Sequence, residues 1–166
     1  VAFRDPPDHT RIRTLLSSTF SPRMVKRVAE MIEGLSTRLL DAAAADGEAD
    51  LHRAYSYPLP ALVVGAMLGI PEADLDRFKS WALDIVLLVG SGSPTEQLAA
   101  SAQEHLAEMR GYMGALVGKR RRDPGDELLS AMIGAADHDN RLSEDEIFSN
   151  ATFLMTASSA PDRHAA

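Results

Sequence analysis

Apolar residues recur at three- and four-residue intervals along most of the chain, and strict alternation is nearly absent, which predicts a nearly all-α protein. Proline, glycine and capping residues divide that pattern into seven helices. The first follows Asp5-Pro6-Pro7-Asp8, where the prolines bar an earlier start and Asp8 can cap, and runs to Leu15 or Leu16. Ser21-Pro22 opens the second, which carries Met24, Val28, Met31, Ile32, Leu35, Leu39 and Leu40 and ends at Asp46-Gly47. Glu48 to Arg53 reads as a connection with room for a short extended stretch. The third helix starts near Tyr57-Pro58-Leu59-Pro60, is apolar on most sides and is expected deep in the core, and Gly69-Ile70-Pro71 stops it.

Glu72 to about Val89 forms the fourth helix, and Gly90-Ser91-Gly92-Ser93-Pro94 breaks it with a loop expected to be mobile. The fifth runs from Thr95 to about Arg122, its Lys119-Arg120-Arg121-Arg122 end suited to the negative pole of the helix dipole. A sixth spans Glu127 to Ala136, and Asp137 to Arg141 is a polar turn. Ser143 and Glu146 form a capping box that opens the last helix, through Leu154, with Pro161 expected to end or distort it. Repeats and low-complexity linkers are absent, so residues 1–166 read as one domain.

Composition narrows the function. A formal charge of −7, from 24 carboxylates against 17 Lys and Arg, argues against nucleic-acid binding. No apolar run is long enough to cross a bilayer and the first residues do not resemble a signal peptide, so the expected compartment is the cytoplasm. With no cysteine, these residues offer no disulfide, no thiol nucleophile and no thiolate ligand for zinc, haem or an iron–sulfur centre.

Few residues invite chemistry by their spacing. His9 and Arg13 share a face of the first helix and could hold a carboxylate or phosphate, although a solvated face or a salt bridge explains them as well. Asp137-His138-Asp139-Asn140 fails as a calcium loop, because Leu142 stands where the glycine is needed and Phe148 where the bidentate glutamate is needed. The five histidines are too scattered to form a metal site, and none is expected. Glu104, His105, Glu108 and Tyr112 cluster on the fifth helix, where surface polarity is the simpler reading.

Several segments, read together, resemble one family. Asp5-Pro6-Pro7-Asp8-His9-Thr10-Arg11-Ile12-Arg13 is similar to the start of the C helix of bacterial cytochromes P450, and Phe20-Ser21-Pro22-Arg23 to the segment after it. Tyr57-Pro58-Leu59-Pro60 and Met67-Leu68-Gly69-Ile70-Pro71 resemble the family's E helix and its exit. Asp126-Glu127-Leu128-Leu129-Ser130 and Arg141-Leu142-Ser143-Glu144-Asp145-Glu146 resemble the H helix and the start of the I helix. The resemblance implies a truncated P450-like fold of C to I helices, with His9 and Arg13 at the haem-propionate positions and the Gly90 to Pro94 loop over the substrate pocket. It leaves unmatched the family's N-terminal helices and sheet, its ExxR helix and its haem-ligand cysteine loop. The family's I helix also carries an Ala-Gly-x-acid-Thr pattern, where this chain has Ala157-Ser158-Ser159-Ala160-Pro161.

These departures set the functional expectation. It is a haem-free, P450-derived protein with no cofactor that binds a small apolar natural-product intermediate and catalyses a non-redox step such as cyclisation or isomerisation. Phe153, Thr156 and Ala157 would line the pocket from the last helix and Leu83, Val86 and Leu87 from the fourth, while His9 and Arg13 would act on a substrate carboxylate or carbonyl. A non-catalytic partner of a biosynthetic enzyme and an inactive fragment of a haem monooxygenase are the alternatives. Ile12, Leu15, Phe148, Phe153 and Leu154 are expected to be uncovered, and with them a homodimer or an obligate partner.

Overall fold

Prolines, glycines and hydroxyl caps decide where each helix starts and stops. The computed structural model describes residues 4–45, 47–137 and 140–158. Among them are seven α-helices: α1 (Asp8–Thr19), α2 (Pro22–Ala45), α3 (Pro58–Leu68), α4 (Leu75–Gly90), α5 (Glu96–Arg122), α6 (Leu128–Gly134) and α7 (Glu144–Ser158). The expected end of α7 at Pro161 and the substituted positions 159–161 lie outside the described residues.

The caps are mostly those the sequence announces. Ser21 Oγ accepts the Met24 amide at 3.2 Å, and Thr95 Oγ1 accepts the Leu98 amide at 3.2 Å. At α7 the box is reciprocal, with Ser143 N–H donating to Glu146 Oε2 at 2.8 Å and Glu146 N–H donating to Ser143 Oγ at 3.2 Å. Asp8 departs from expectation. It is the first residue of α1 rather than its cap, and it pairs with Arg4 at 3.1 Å.

Two connections also differ from the sequence reading. The connection expected over Glu48 to Arg53 is irregular through Asp50, and its end runs into a π-helical turn, His52–Ser56. Pro58 has no N–H for the carbonyl four residues back, and Tyr57 N–H instead reaches the His52 carbonyl at 2.8 Å, five residues back. The polar turn after α6 carries a two-residue antiparallel pair, Ala136–Asp137 with Asn140–Arg141. At the exit of α3, Gly69 takes a left-handed backbone (φ +70°), as a helix-terminating glycine does.

The core forms where α3, α4, α5, α6 and α7 meet, around Leu68, Phe78, Trp81, Met109, Met113, Leu129, Met132, Ile147 and Met155. Three residues expected to be uncovered are inside it: Ile12 is 1% exposed, Leu15 3% and Phe148 9%. Ile12 and Leu15 are covered by α6, which packs on α1, and Phe148 by the elements packed around α7, with Arg110 of α5 over its ring. Phe153 is 49% exposed and Leu154 half-buried, so the uncovered apolar surface is narrower than expected. No helix among the described residues is long and apolar enough to cross a membrane.

Candidate functional site

The apolar face of α1 does not end with the residues it buries. Arg13, Leu16, Ser17 and Phe20 follow one another at helical spacing and form one wall of a groove of about 220 Å³. Asn150, Phe153 and Leu154 of α7 form the other wall by the same spacing, and Leu128 and Met132 of α6 make the floor. The groove is lined mostly by apolar side chains and is partly open to solvent, with Arg13, itself exposed, among its lining residues.

Arg13 enters no ion pair among the described residues, and neither does His9, which is half-buried one turn earlier. The salt bridge considered for them belongs instead to Arg11, whose Nη2 contacts Glu146 Oε1. Burial pushes the Glu146 carboxyl up, but the Ser143 amide and the Arg11 guanidinium outweigh this and hold it below the usual carboxylate value. Asn150 Nδ2 donates to the Glu146 carbonyl at 2.7 Å, so the polar residue of the α7 wall is fixed to the same turn.

Of the sequence-predicted site residues, Arg13 and Phe153 meet at this groove. Thr156 and Ala157 lie further along α7, and the Thr156 hydroxyl returns to the Phe153 carbonyl at 3.0 Å. Leu83 and Leu87 are exposed on α4 and Val86 is half-buried, none of them lining the groove. Leu16, Phe20, Leu128, Met132 and Asn150 were missed. The signal for the first two was in the chain, since residues 13, 16, 17 and 20 repeat as one helical stripe.

The polar cluster on α5 faces water in part, with Glu104 and Glu108 exposed, and also ties α5 to α4 and the turn before it: Glu108 accepts Trp81 Nε1–H at 2.8 Å, Tyr112 donates to Asp74 at 2.7 Å, and His105 Nδ1 lies 3.0 Å from Asp84. Glu104 alone of the four stays exposed without such a contact. A second, larger hollow of about 290 Å³ lies between the start of α2 and the α5–α6 turn. Within it Arg27 pairs with Asp126 at 3.0 Å, Glu127 pairs outward with Arg120, and Arg23 enters no ion pair among the described residues. No group of three or more His, Asp or Glu that could hold a metal ion occurs among the described residues.

No family model matches the chain. Individual proteins do. It is 35% identical over 160 residues to cytochrome P450 CYP107DY1 of Priestia megaterium, a match covering 96% of this chain and 38% of that protein. It is 38% identical over 158 residues to the cytochrome P450 monooxygenase PikC of Streptomyces venezuelae, covering 92% and 36%. In structure it matches the Bacillus subtilis cytochrome P450 PksS with a TM-score of 0.81 at 31% identity, over 93% of this chain and 38% of that one. It also matches P450BioI, solved with an acyl carrier protein bearing hexadec-9Z-enoic acid, with a TM-score of 0.83 at 25% identity, over 95% and 40%. Over nearly all its length the chain is therefore a cytochrome P450 homologue, and its fold is a helical part of that family's structure. The chain spans less than two fifths of the curated relatives it matches.

The family's prosthetic group is haem, and the groove fits an amphiphile of that kind. Its walls and floor offer apolar side chains to a flat apolar body, and Arg13, which enters no ion pair among the described residues, offers a guanidinium to a carboxylate. The residues do not supply a thiolate, since the chain has no cysteine.

Proposed function

We propose that these residues form the helical part of a P450-type haem monooxygenase that would face the haem and the substrate, and that they act together with polypeptide that would supply a thiolate. The observation that carries this reading is the apolar groove between α1 and α7, lined also by Arg13, which enters no ion pair among the described residues. Arg13, with His9 a turn away, would bind the haem carboxylates through charge-assisted hydrogen bonds. Leu16, Phe20, Phe153 and Leu154 would exclude water from the apolar part of the ligand. When bound and thiolate-ligated, haem supplies oxygen activation.

The substrate class that fits is a small apolar natural-product intermediate. Relatives named for polyketide biosynthesis and for 6-deoxyerythronolide B hydroxylation support it. Thr156 and Ala157 of α7 and Leu83, Val86 and Leu87 of α4 would be the residues toward that substrate. A cofactor-free cyclisation steered by shape needs a pocket that surrounds most of its substrate. A groove open along one side favours the haem reading over that one.

Haemin titration tests the proposal. The chain should bind haemin with a shifted and intensified Soret band, without the carbon monoxide spectrum of a thiolate-ligated haem, and Arg13→Gln should weaken that binding. A chain that leaves the haemin spectrum unchanged would overturn it. Phe20 and Phe153, 45% and 49% exposed, also suit a homodimer in which a second copy covers them. Sedimentation at micromolar concentration separates the readings, since only the dimer should lose mass on Phe153→Ser substitution.

A further inference from the structure

The two walls of the groove belong to helices that are far apart in sequence, and α1 is anchored chiefly on α6 rather than on α7. Something must fix the distance between the walls, because a groove that holds a flat ligand works over a narrow range of widths. Arg11 and Glu146 are placed to do this. Arg11 stands two residues before Arg13, about 200° around the helix, so its side chain points away from the groove rim. There its Nη2 contacts Glu146 Oε1 and its Nη1 lies 3.5 Å from the Arg141 carbonyl.

Glu146 is committed on every side. Its residue is 9% exposed. One carboxylate oxygen accepts the Ser143 amide while the other takes Arg11. Its main-chain carbonyl accepts Asn150 Nδ2 at 2.7 Å. On α7, Glu146, Asn150, Phe153 and Leu154 form one helical stripe, so the anchored residue and the groove wall are turns of the same face. A largely buried Glu146 bonded to a half-buried Arg11 has little freedom, and such a pair fixes geometry more than it adds stability.

We infer that Arg11 and Glu146 are positioning residues: they join the first turn of α7 to α1 and set the width of the ligand groove, without touching the ligand. The inference rests on the groove being a ligand site, as proposed above. It predicts that breaking the pair separates the walls while the helices remain folded.

Spin labels on the two walls test it, and the chain's lack of cysteine makes a labelled pair unambiguous. Ser18→Cys on α1 and Ser149→Cys on α7, both exposed, report the α1–α7 distance distribution, and haemin titration of the same samples reports binding. Arg11→Met should broaden and lengthen the distribution and weaken haemin binding about tenfold. Arg11→Lys, which keeps the charge, should restore most of both. Glu146→Gln, which can still accept the Ser143 amide and so preserves the helix start, should repeat the Arg11→Met result if that variant proves hard to fold. Arg13→Gln should weaken haemin binding with the distribution unchanged.

An unaltered distribution in both Arg11→Met and Glu146→Gln overturns the positioning role. A widened distribution with unaltered haemin affinity overturns the link between wall spacing and binding. Failure of the parent chain to bind haemin overturns the ligand reading of the groove, and with it the functional part of this inference, while the distance measurement still decides whether the pair holds α1 to α7.

Discussion

The α4–α5 pair and the α1–α7 pair are joined in opposite ways. Between α4 and α5, Phe78, Trp81 and Tyr112 meet edge to face with centroids 4.9 to 6.2 Å apart. Carboxylates close that seam at three levels: Asp74 accepts from Tyr112, Glu108 accepts from Trp81, and Asp84 accepts from Ser101 with His105 Nδ1 3.0 Å away. Between α1 and α7 the direct polar link centres on Arg11 and Glu146, and beside it the surfaces part into an open groove. The contrast teaches where adaptability is stored. The seam with redundant contacts behaves as one body, and the seam held at few points is the one a ligand can enter.

The largest expected effect lies in the redundant seam. Trp81→Ala removes a side chain that is 2% exposed together with its bond to Glu108, and should cost about 3–5 kcal/mol in urea unfolding. Next comes acid. Because Glu146 is held below 4.5, its contribution is complete above that value and is lost as pH falls through its lowered folded-state value. Amide exchange in the first turn of α7 should therefore rise in acid, and Glu146→Gln should flatten that dependence. A steeper acid response at the α4–α5 seam than at α7 would reverse the contrast.

Two smaller effects sharpen it. Asp84→Asn loses the charge beside His105 while leaving an oxygen for Ser101, and should cost about 1 kcal/mol. Arg13→Gln should change stability by less than about 0.5 kcal/mol, since nothing among the described residues pairs with it. At alkaline pH, Tyr112 provides a spectroscopic marker of the tight seam. Burial and its hydrogen bond to Asp74 push it up to about 12, so the stability it confers is complete below the ordinary value of 10.0 and is lost as pH rises through 12.

Helix boundaries were legible where a single residue decides them. Ser143 with Glu146, Thr95, and Gly69 act on their own backbones, and each does in the fold what the local chain implies. The π-helical turn before Pro58 was not, because it depends on which carbonyl a missing N–H leaves to be satisfied, a matter of register rather than propensity. Burial of Ile12, Leu15 and Phe148 was also misjudged, since local pattern marks an apolar face but not the helix that will cover it. At the site, His9 and Arg13 were legible as a helical pair. The partners that make Arg13 meaningful, Leu128, Met132 and Asn150, reach it only through tertiary packing. Arg11, which shares its face with neither, gave no signal until Glu146 stood opposite it.

Gly69 carries a consequence for the order of folding. A side chain added there would lie 3.0 Å from Arg120 Nη2 and 3.1 Å from Glu127 Cγ, and those two residues are themselves paired at 2.5 Å. The close of α3 is thus sealed by residues about fifty positions downstream, a loop whose ends must be brought together before the contact repays its entropy. In a chain whose helices otherwise form from neighbours, that corner belongs among the last contacts to close, and a bulkier residue at position 69 should slow refolding more than it hastens unfolding only if it closes early.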